Sequence, residues 1–291
     1  MQIETIIINC STKEQSTLAL VSAVRRSPAP VTLVDCESTD GSAAFFATLA
    51  ARLSFRFEER PLAPHGVTLD RLFRASRADA VLLLDSDAEL LRDDLAPRMI
   101  GALAGPAYGS GFLHRGQWLG TNHMVDGNVG YYAPRMWIPC VLLAVRPVQA
   151  ALAAGVSFAD RRDANELPQL PRLARALQMR FRLPALKRLR LDALARWRPE
   201  RFGERPHFVY HDTGALMHAA LVAAGHTLAD LGGDLWLTGV RHYHGVTRRR
   251  LAPGTTNAAD PDATRQDAVA RIESVYGLAV PELAAGLGRP S

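Results

Sequence analysis

Residues 80 to 84, Ala-Val-Leu-Leu-Leu, run without one polar side chain and lead directly into Asp85-Ser86-Asp87. A strand that is apolar on both faces has to be covered on both, which is the situation of a strand inside a parallel sheet flanked by helices. The residues before it follow the same grammar. Glu4 to Asn9 is an Ile-rich run of strand character, and a helical pattern through Leu18, Leu20, Val21 and Val24 follows until Pro28 and Pro30 stop it. Val31 to Asp35 reads as a second strand, Ala43 to Leu53 as a helix, Phe55 to Glu59 as a third strand and Leu69 to Ser76 as a further helix. This alternation predicts an α/β fold, with a Rossmann-like half and a mostly parallel central sheet.

Beyond Asp94 the pattern is looser. It reads as a helix to Leu103, a Gly-rich and aromatic stretch from Gly105 to Trp137, a strand from Cys140 to Val145 and a helix from Pro147. Asp212 to Ala224 and Asp267 to Tyr276 look helical, and Leu235 to Val240 looks like a strand. The expected division is 1–104, then 105–259 with a basic helical insertion at about 168–206, then a helix and tail over 260–291. With 291 residues, 48% of them hydrophobic, the chain can bury a sizeable core. Cys10, Cys36 and Cys140 give neither an even disulfide framework nor a paired metal motif, so buried reduced thiols are expected.

The opening MQIETIIINCSTKEQ has no basic stretch before an apolar one, and no run approaches the ~18 apolar residues of a membrane span. A cytoplasmic protein is expected. The net charge of +5 is an uneven average, because residues 171–206 hold 11 Lys and Arg against 3 Asp and Glu, leaving 23 basic and 26 acidic residues elsewhere. There is no helix-turn-helix, zinc finger or aromatic RNA-binding signature, so a nucleic-acid partner is not expected. Leu186, Leu189, Ala193 and Trp197 fall on one helical stripe with Lys187, Arg188 and Arg190 off it. Two readings stay open for this segment: peripheral contact with an anionic membrane on its inner face, or a basic lid of solvated helices.

Three groups of residues carry chemistry. In open α/β sheets ligands bind beyond the carboxyl ends of the strands, so Asp85 and Asp87 sit at the expected mouth. Hard oxygen ligands suit Mn²⁺ or Mg²⁺, whose remaining ligands are often substrate phosphates; the alternative is a pair of solvated or helix-capping acids. Arg241-His242-Tyr243-His244 follows the apolar run at Leu235, and at strand spacing His242 and His244 project together, where one metal or phosphate can meet both. Arg248 to Arg250 either neutralise a diphosphate or form a solvated charge run. Asp212, in Tyr210-His211-Asp212-Thr213-Gly214, is either a carboxylate base for an acceptor hydroxyl or a helix cap. Gly116 to Tyr132, with Trp118, His123, Asp126, Tyr131 and Tyr132, suits sugar recognition or ordinary core and turn positions.

Ile6-Ile7-Ile8-Asn9, the run Thr32-Leu33-Val34-Asp35-Cys36-Glu37-Ser38-Thr39-Asp40-Gly41-Ser42, and Leu84-Asp85-Ser86-Asp87 resemble three successive signatures of family 2 and related GT-A glycosyltransferases. The resemblance covers about the first 100 residues. It implies a nucleotide-sugar-binding half, 1–104, joined to an acceptor-binding half, 105–259. It implies that Asn9, Cys10, Ser11 and Asp35 hold the nucleoside, with Asp35 facing the base. Asp87 would bind the metal, with Asp85 on the ribose or the metal shell and Ser86 between them. A late His would complete the metal site, His244 first and His242 second, and Asp212 would be the base. Arg71 stands where a basic residue can meet the diphosphate or simply face solvent, and Asp40 reads as a helix N-cap.

The chain departs from the family in having Asn9-Cys10-Ser11-Thr12 for Pro-Thr-Tyr-Asn and His211-Asp212 for Glu-Asp. The activity implied is metal-dependent transfer of a sugar from a nucleotide-diphosphate donor to a glycan or lipid-linked acceptor. Two rivals are a non-catalytic nucleotide- or glycan-binding protein of the same fold and an Asp-x-Asp phosphohydrolase. In the second, the motif belongs after the first strand with Thr or Gly behind it, and here it does not.

Overall fold

The computed structural model describes residues 1–118, 130–164, 208–246 and 260–279. β1 (Ile3–Asn9), α1 (Lys13–Arg26), β2 (Val31–Cys36), α2 (Ser42–Leu49), β3 (Arg56–Arg60), α3 (His65–Ala75) and β4 (Ala80–Asp85) alternate as the sequence predicts. β5 (Ala88–Leu90), α4 (Leu95–Ala102) and β6 (Ala107–Gly111) follow, and then the strand Cys140–Ala144 and α5 (Val145–Ala153). The last part holds the strand Phe208–His211, the helix Ala215–Ala223, the strand Thr227–Asp230, the helix Gly233–Gly239, the strand Val240–His242 and the C-terminal helix Pro261–Tyr276.

The central sheet has seven strands, in the order Thr227–Asp230, β6, Cys140–Ala144, β4, β1, β2, β3. Only Cys140–Ala144 runs against the others. The sheet is therefore mostly parallel, and it takes strands from both sides of residue 104.

Alternation along the strands sends neighbouring side chains to two different cores. Ile7, Leu33, Leu82 and Leu84 pack with Leu20, Phe46 and Leu49 of α1 and α2. Ile6, Val34, Val81 and Leu83 pack on the opposite face with Leu69, Leu72 and Phe73 of α3 and with Val148 and Leu152 of α5. Burying a Leu of this kind contributes about 2 kcal/mol, whereas an unpaired carboxylate at the same depth costs several. The acids of β4 accordingly appear only where the strand leaves the sheet.

Four departures from the sequence reading have local causes. α3 begins at His65, four residues before Leu69, because Gly66 lets the helix start lie against another segment: a Cβ there would stand 2.5 Å from the Ala159 Cα. The Asp70 carboxylate ties the same segment, accepting from Phe158 N–H at 2.8 Å and Ser157 Oγ at 2.6 Å. Leu235 to Gly239, read as strand, is helix, and the strand starts at Val240; a short apolar run fits either state by periodicity alone. The helix read from Asp212 starts only at Ala215, because Asp212 to Gly214 form a turn after the strand Phe208–His211 and Gly214, with φ of +84°, takes the N-cap position. The C-terminal helix opens at Pro261, where Asp260 accepts from the Asp262 and Ala263 N–H groups.

That last helix is a working part of the fold. Ala268, Val269 and Ile272 pack on Leu18 and Val21 of α1. Arg271 grips the fully buried Glu89 of β5 with two hydrogen bonds of 2.7 Å, and the Tyr276 hydroxyl donates to the same carboxylate at 2.8 Å. Cys36 and Cys140 are buried, Cys10 is half-buried, and all three are free. Among the described residues no helix is long and apolar enough to cross a membrane. The basic segment 171–206, His123, Asp126 and Arg248 to Arg250 lie outside the described residues.

Removing one partner of a buried ion pair leaves the other charge stranded. Arg271→Met is expected to lower the unfolding free energy by about 3 kcal/mol, read from denaturant melts. Adding Glu89→Leu to Arg271→Met is expected to recover most of that loss. Equal melts for wild type and Arg271→Met would contradict the clamp.

Candidate metal and donor site

β4 ends at Asp85, and the chain turns through Ser86 and Asp87 into the short β5. β5 pairs antiparallel with Val240–His242, and the register sets His242 opposite Ala88. This pairing brings a residue from 155 positions away beside Asp87, and His242 Nε2 lies 3.0 Å from Asp87 Oδ1. The other Asp87 oxygen accepts from the Val246 N–H at 3.4 Å. One donor atom each from Asp85, Asp87 and His242 lies within 4.8 Å of the other two. Adjacent ligands of an octahedral Mg²⁺ stand about 3 Å apart and opposite ones about 4.2 Å, so a small closure suffices to bring these donors onto one ion. His242 faces Asp87 through Nε2, and its Nδ1 is buried without a hydrogen-bond partner. Two hard oxygens and an imidazole fit Mn²⁺ or Mg²⁺.

The electrostatics follow from burial and pairing. Desolvation raises the Asp85 carboxyl, and Asp87 and Asp212 push the same way against His65 and His242. Desolvation also acts on Asp87, but the His242 hydrogen bond and charge and the Val246 N–H outweigh it and hold that carboxyl low. For His242, desolvation is outweighed by the hydrogen bond and charge of Asp87, helped by Asp85, and the imidazole is raised. Burial and the neighbouring His242 lower His244.

A hydrogen-bond network fixes the ends of β1, β2 and β4 relative to one another. Asn9 is fully buried and donates from Nδ2 to Asp35 Oδ1 at 2.5 Å and to Ser38 Oγ at 3.0 Å. Its Oδ1 accepts from Ser16 Oγ at 2.6 Å and Thr12 Oγ1 at 2.9 Å, and the Thr12 hydroxyl reaches Ser86 Oγ at 3.1 Å. Asp35 is 1% exposed and also accepts from Ser38 N–H and Oγ, so its carboxylate is already satisfied. Asn9 and Asp35 thus brace the loops, while Cys10 and Ser11 are partly exposed. Ser11 has φ of +53° and exchanges hydrogen bonds with the Ser38–Thr39 loop. Asp40 accepts from the Lys13 and Ser42 N–H groups, bracketing the first residues of α1 and α2.

Of the two histidines, His242 joins the carboxylates, while His244 is exposed, has φ of +53° and stacks edge-on against His242 at 4.3 Å. The strand ends at His242, so the period-two argument for both rings does not hold. Arg71 is exposed on α3, about 9 Å along the axis from the helix start. The α3 side chain that faces the acids is His65, whose Nε2 is 3.9 Å from Asp85 Oδ1. Asp212 makes no side-chain cap: Gly214, with φ of +84°, holds the N-cap position. Asp212 instead pairs with Arg135 at 3.2 Å and lies within electrostatic reach of Asp85.

The sequence reading passed over His65 and Arg135. His65 opens the helix that leads into β4, a position that was a usable signal; Arg135 had none. A cavity of about 1130 Å³ opens beside Ile3, Pro30 and Phe55, at the N-terminal edge of the sheet and a strand's length from the carboxylates.

No family model matches the chain, and no curated protein matches it in sequence. Among solved structures, it is similar to S. aureus TarS 1-349 in complex with UDP-GlcNAc at 14% identity, over 55% of this chain and 49% of that one, with a TM-score of 0.38. It is similar to the mannosyltransferase PcManGT from Pyrobaculum calidifontis in complex with GDP-Man and Mn²⁺ at 14% identity, over 98% and 77% of the two chains, with a TM-score of 0.45. It is also similar to 4-diphosphocytidyl-2C-methyl-D-erythritolsynthase from Anaerococcus prevotii at 12% identity, over 53% and 74%, with a TM-score of 0.38. The chain spans about half the length of the TarS structure.

An ion entering the Asp85–Asp87–His242 group has to displace the proton that Asp87 holds on His242. Mn²⁺ affinity is expected to rise about tenfold per pH unit below the raised His242 value and to level off above it. Calorimetry in buffers of different ionisation enthalpy should record about one proton released per ion. A pH-independent affinity would remove His242 from the site. Without metal the sign differs by partner: the lowered Asp87 contributes stability above its unfolded value, and the raised His242 contributes below its own. The pair stabilises fully from about pH 4 to about 6.5.

Proposed function

We propose that the chain is a metal-dependent glycosyltransferase of the GT-A type, moving a sugar from a nucleotide-diphosphate donor to a glycan or lipid-linked acceptor. The observation that carries this reading is the meeting of Asp85, Asp87 and His242 just past the carboxyl end of β4. The place in the sheet fits as well. β1 is where the strand order reverses, with β2 and β3 on one side and β4 on the other, and such a switch point opens a crevice for a ligand. Cys10 and Ser11 stand at one lip of that crevice, in reach of a nucleoside, and the carboxylates stand at the other.

Asp85, Asp87 and His242 would hold a divalent ion, which would supply Lewis-acid stabilisation of the departing diphosphate. Asp85, Asp87 and His242 fix its position, and Ser86 and Thr12 hold the turn that carries the acids. On the acceptor side, Asp212 takes the proton of the attacking hydroxyl while Arg135 holds the carboxylate in place. The acceptor oxygen bonds to the anomeric carbon, the bond from that carbon to the phosphate oxygen breaks, and the nucleoside diphosphate leaves with the electron pair. Attack from the face opposite the leaving group inverts the configuration. We assign the enzyme to the cytoplasm and the segment 171–206 to contact with anionic lipid; sedimentation with anionic vesicles at low salt tests that contact, and no binding would end it.

The test pairs binding with turnover. A nucleoside diphosphate with Mn²⁺ or Mg²⁺ is expected to raise the melting temperature of the wild type, and Asp87→Ala to abolish the metal-dependent part. Asp212→Asn is expected to keep that thermal shift and to lose about 10²- to 10⁴-fold in transfer, measured as nucleoside diphosphate released from nucleotide sugars with a panel of glycan acceptors. Wild-type turnover in Asp212→Asn would dismiss it as base. A thermal shift with no release from any donor would make the chain a binding protein.

A further inference from the structure

The far wall of the crevice is aromatic, and none of the residues placed in the reaction so far explains it. Trp137, 5% exposed, meets the His242 ring edge-on at 5.4 Å. Trp236 lies against Trp137 at 5.4 Å and against His114 at 5.8 Å. His114 faces Arg135 across a two-stranded ladder, and Arg135 holds Asp212. His114 is also within electrostatic reach of Asp212 and His244. The side chains therefore close a ring: from His242 through Trp137 and Trp236 to His114, then through Arg135 and Asp212 back to the carboxylates.

One half of that ring is ionic and the other aromatic. Trp137 is sealed inside and supports the wall. Trp236 is half-buried, on a short helix beside Leu237, which is 76% exposed. A half-exposed indole next to a neutral imidazole presents an apolar face with hydrogen-bonding groups at its edge. This suits a ligand with C–H bonds on one face and hydroxyls around its rim. Burial and Arg135 hold His114 below its ordinary value, so at neutral pH the ring can accept as well as donate.

From this placement we infer that Trp236 and His114 form the acceptor subsite and that the acceptor is a carbohydrate, its pyranose ring lying on the Trp236 indole with one hydroxyl directed toward Asp212. A prenyl chain would match the indole but leave His114, Arg135 and Asp212 facing hydrocarbon, which disfavours a bare lipid in this position. The inference deepens the proposed transfer and depends on it for the role of Asp212. The subsite itself is a physical binding site that needs no donor.

The experiment measures direct binding by saturation-transfer NMR and tryptophan fluorescence. The probes are methyl pyranosides of the gluco, galacto, manno and 2-acetamido-gluco series, with farnesyl phosphate as the lipid arm. At least one pyranoside is expected to bind the wild type, to weaken about tenfold or more in Trp236→Ala and to stay within about threefold in Trp236→Phe. Metal-dependent nucleoside diphosphate binding is expected to be unchanged in both variants, which also reports that they are folded. The inference is overturned if no pyranoside binds, if Trp236→Ala binds as the wild type does, or if farnesyl phosphate alone shows dependence on Trp236. Pyranoside binding without any nucleotide binding would leave the subsite standing and remove the transferase reading.

Discussion

The contact between Asp87 and His242 is the one on which the site depends. It joins the turn after β4 to a strand from the far end of the chain, and both side chains are close to fully buried, at 8% and 11% exposure. A carboxylate at that depth needs a partner, and an imidazole with a raised affinity for its proton supplies it. Under the proposed function the same pair would serve as metal ligands once the proton leaves. Its geometry is secured at a distance: His242 is presented by a strand that pairs with β5, and β5 is held by Glu89 in the grip of Arg271 and Tyr276. The C-terminal helix packs on α1 and thereby carries the site as well as the core.

Among the described residues, three other than glycine adopt left-handed backbone: Ser11, Glu37 and His244. Each such residue costs on the order of 1 kcal/mol or more, and the three stand just past the ends of β1 and β2 and just past His242. The hydrogen bonds that Ser11 shares with Ser38 and Thr39 offset part of that cost by lacing the first two loops together. The left-handed residues lie in loops at strand ends, and none lies within the central sheet.

Much of this was legible in the chain. Val81 to Leu84, apolar on both faces, reads as a strand covered on both sides, and it lies in the central sheet with Asp85 and Asp87 at its end; the sequence leaves open whether those acids are ligands or solvated residues. Asp212, by its place before a helix, reads as either a base or a cap, and the N-cap position is held by Gly214 instead. The partner of the acids was harder to read. The period-two argument favoured His244 equally with His242, but the strand stops at His242 and the backbone then turns left-handed, which no local pattern announces. Pairing between β5 and Val240–His242 is a long-range contact of three residues on each side, too short to leave a periodic signal. The family resemblance implies that Asn9 and Asp35 hold the nucleoside, and in the structure they hydrogen-bond each other. The network that consumes their polar atoms joins Thr12 and Ser16 at the start of α1 and Ser38 after β2, and it is set by the pairing of β1 with β2 that brings Asn9 to Asp35.

The most direct measurement is an anomalous difference map from crystals grown with Mn²⁺ and a nucleoside diphosphate. The account requires a peak bonded to His242 and to oxygens of Asp85 and Asp87, with the diphosphate completing the shell and Cys10 and Ser11 at the nucleoside end. A map with no peak there, or an ion and nucleotide bound elsewhere with the Asp87–His242 hydrogen bond intact, would contradict it.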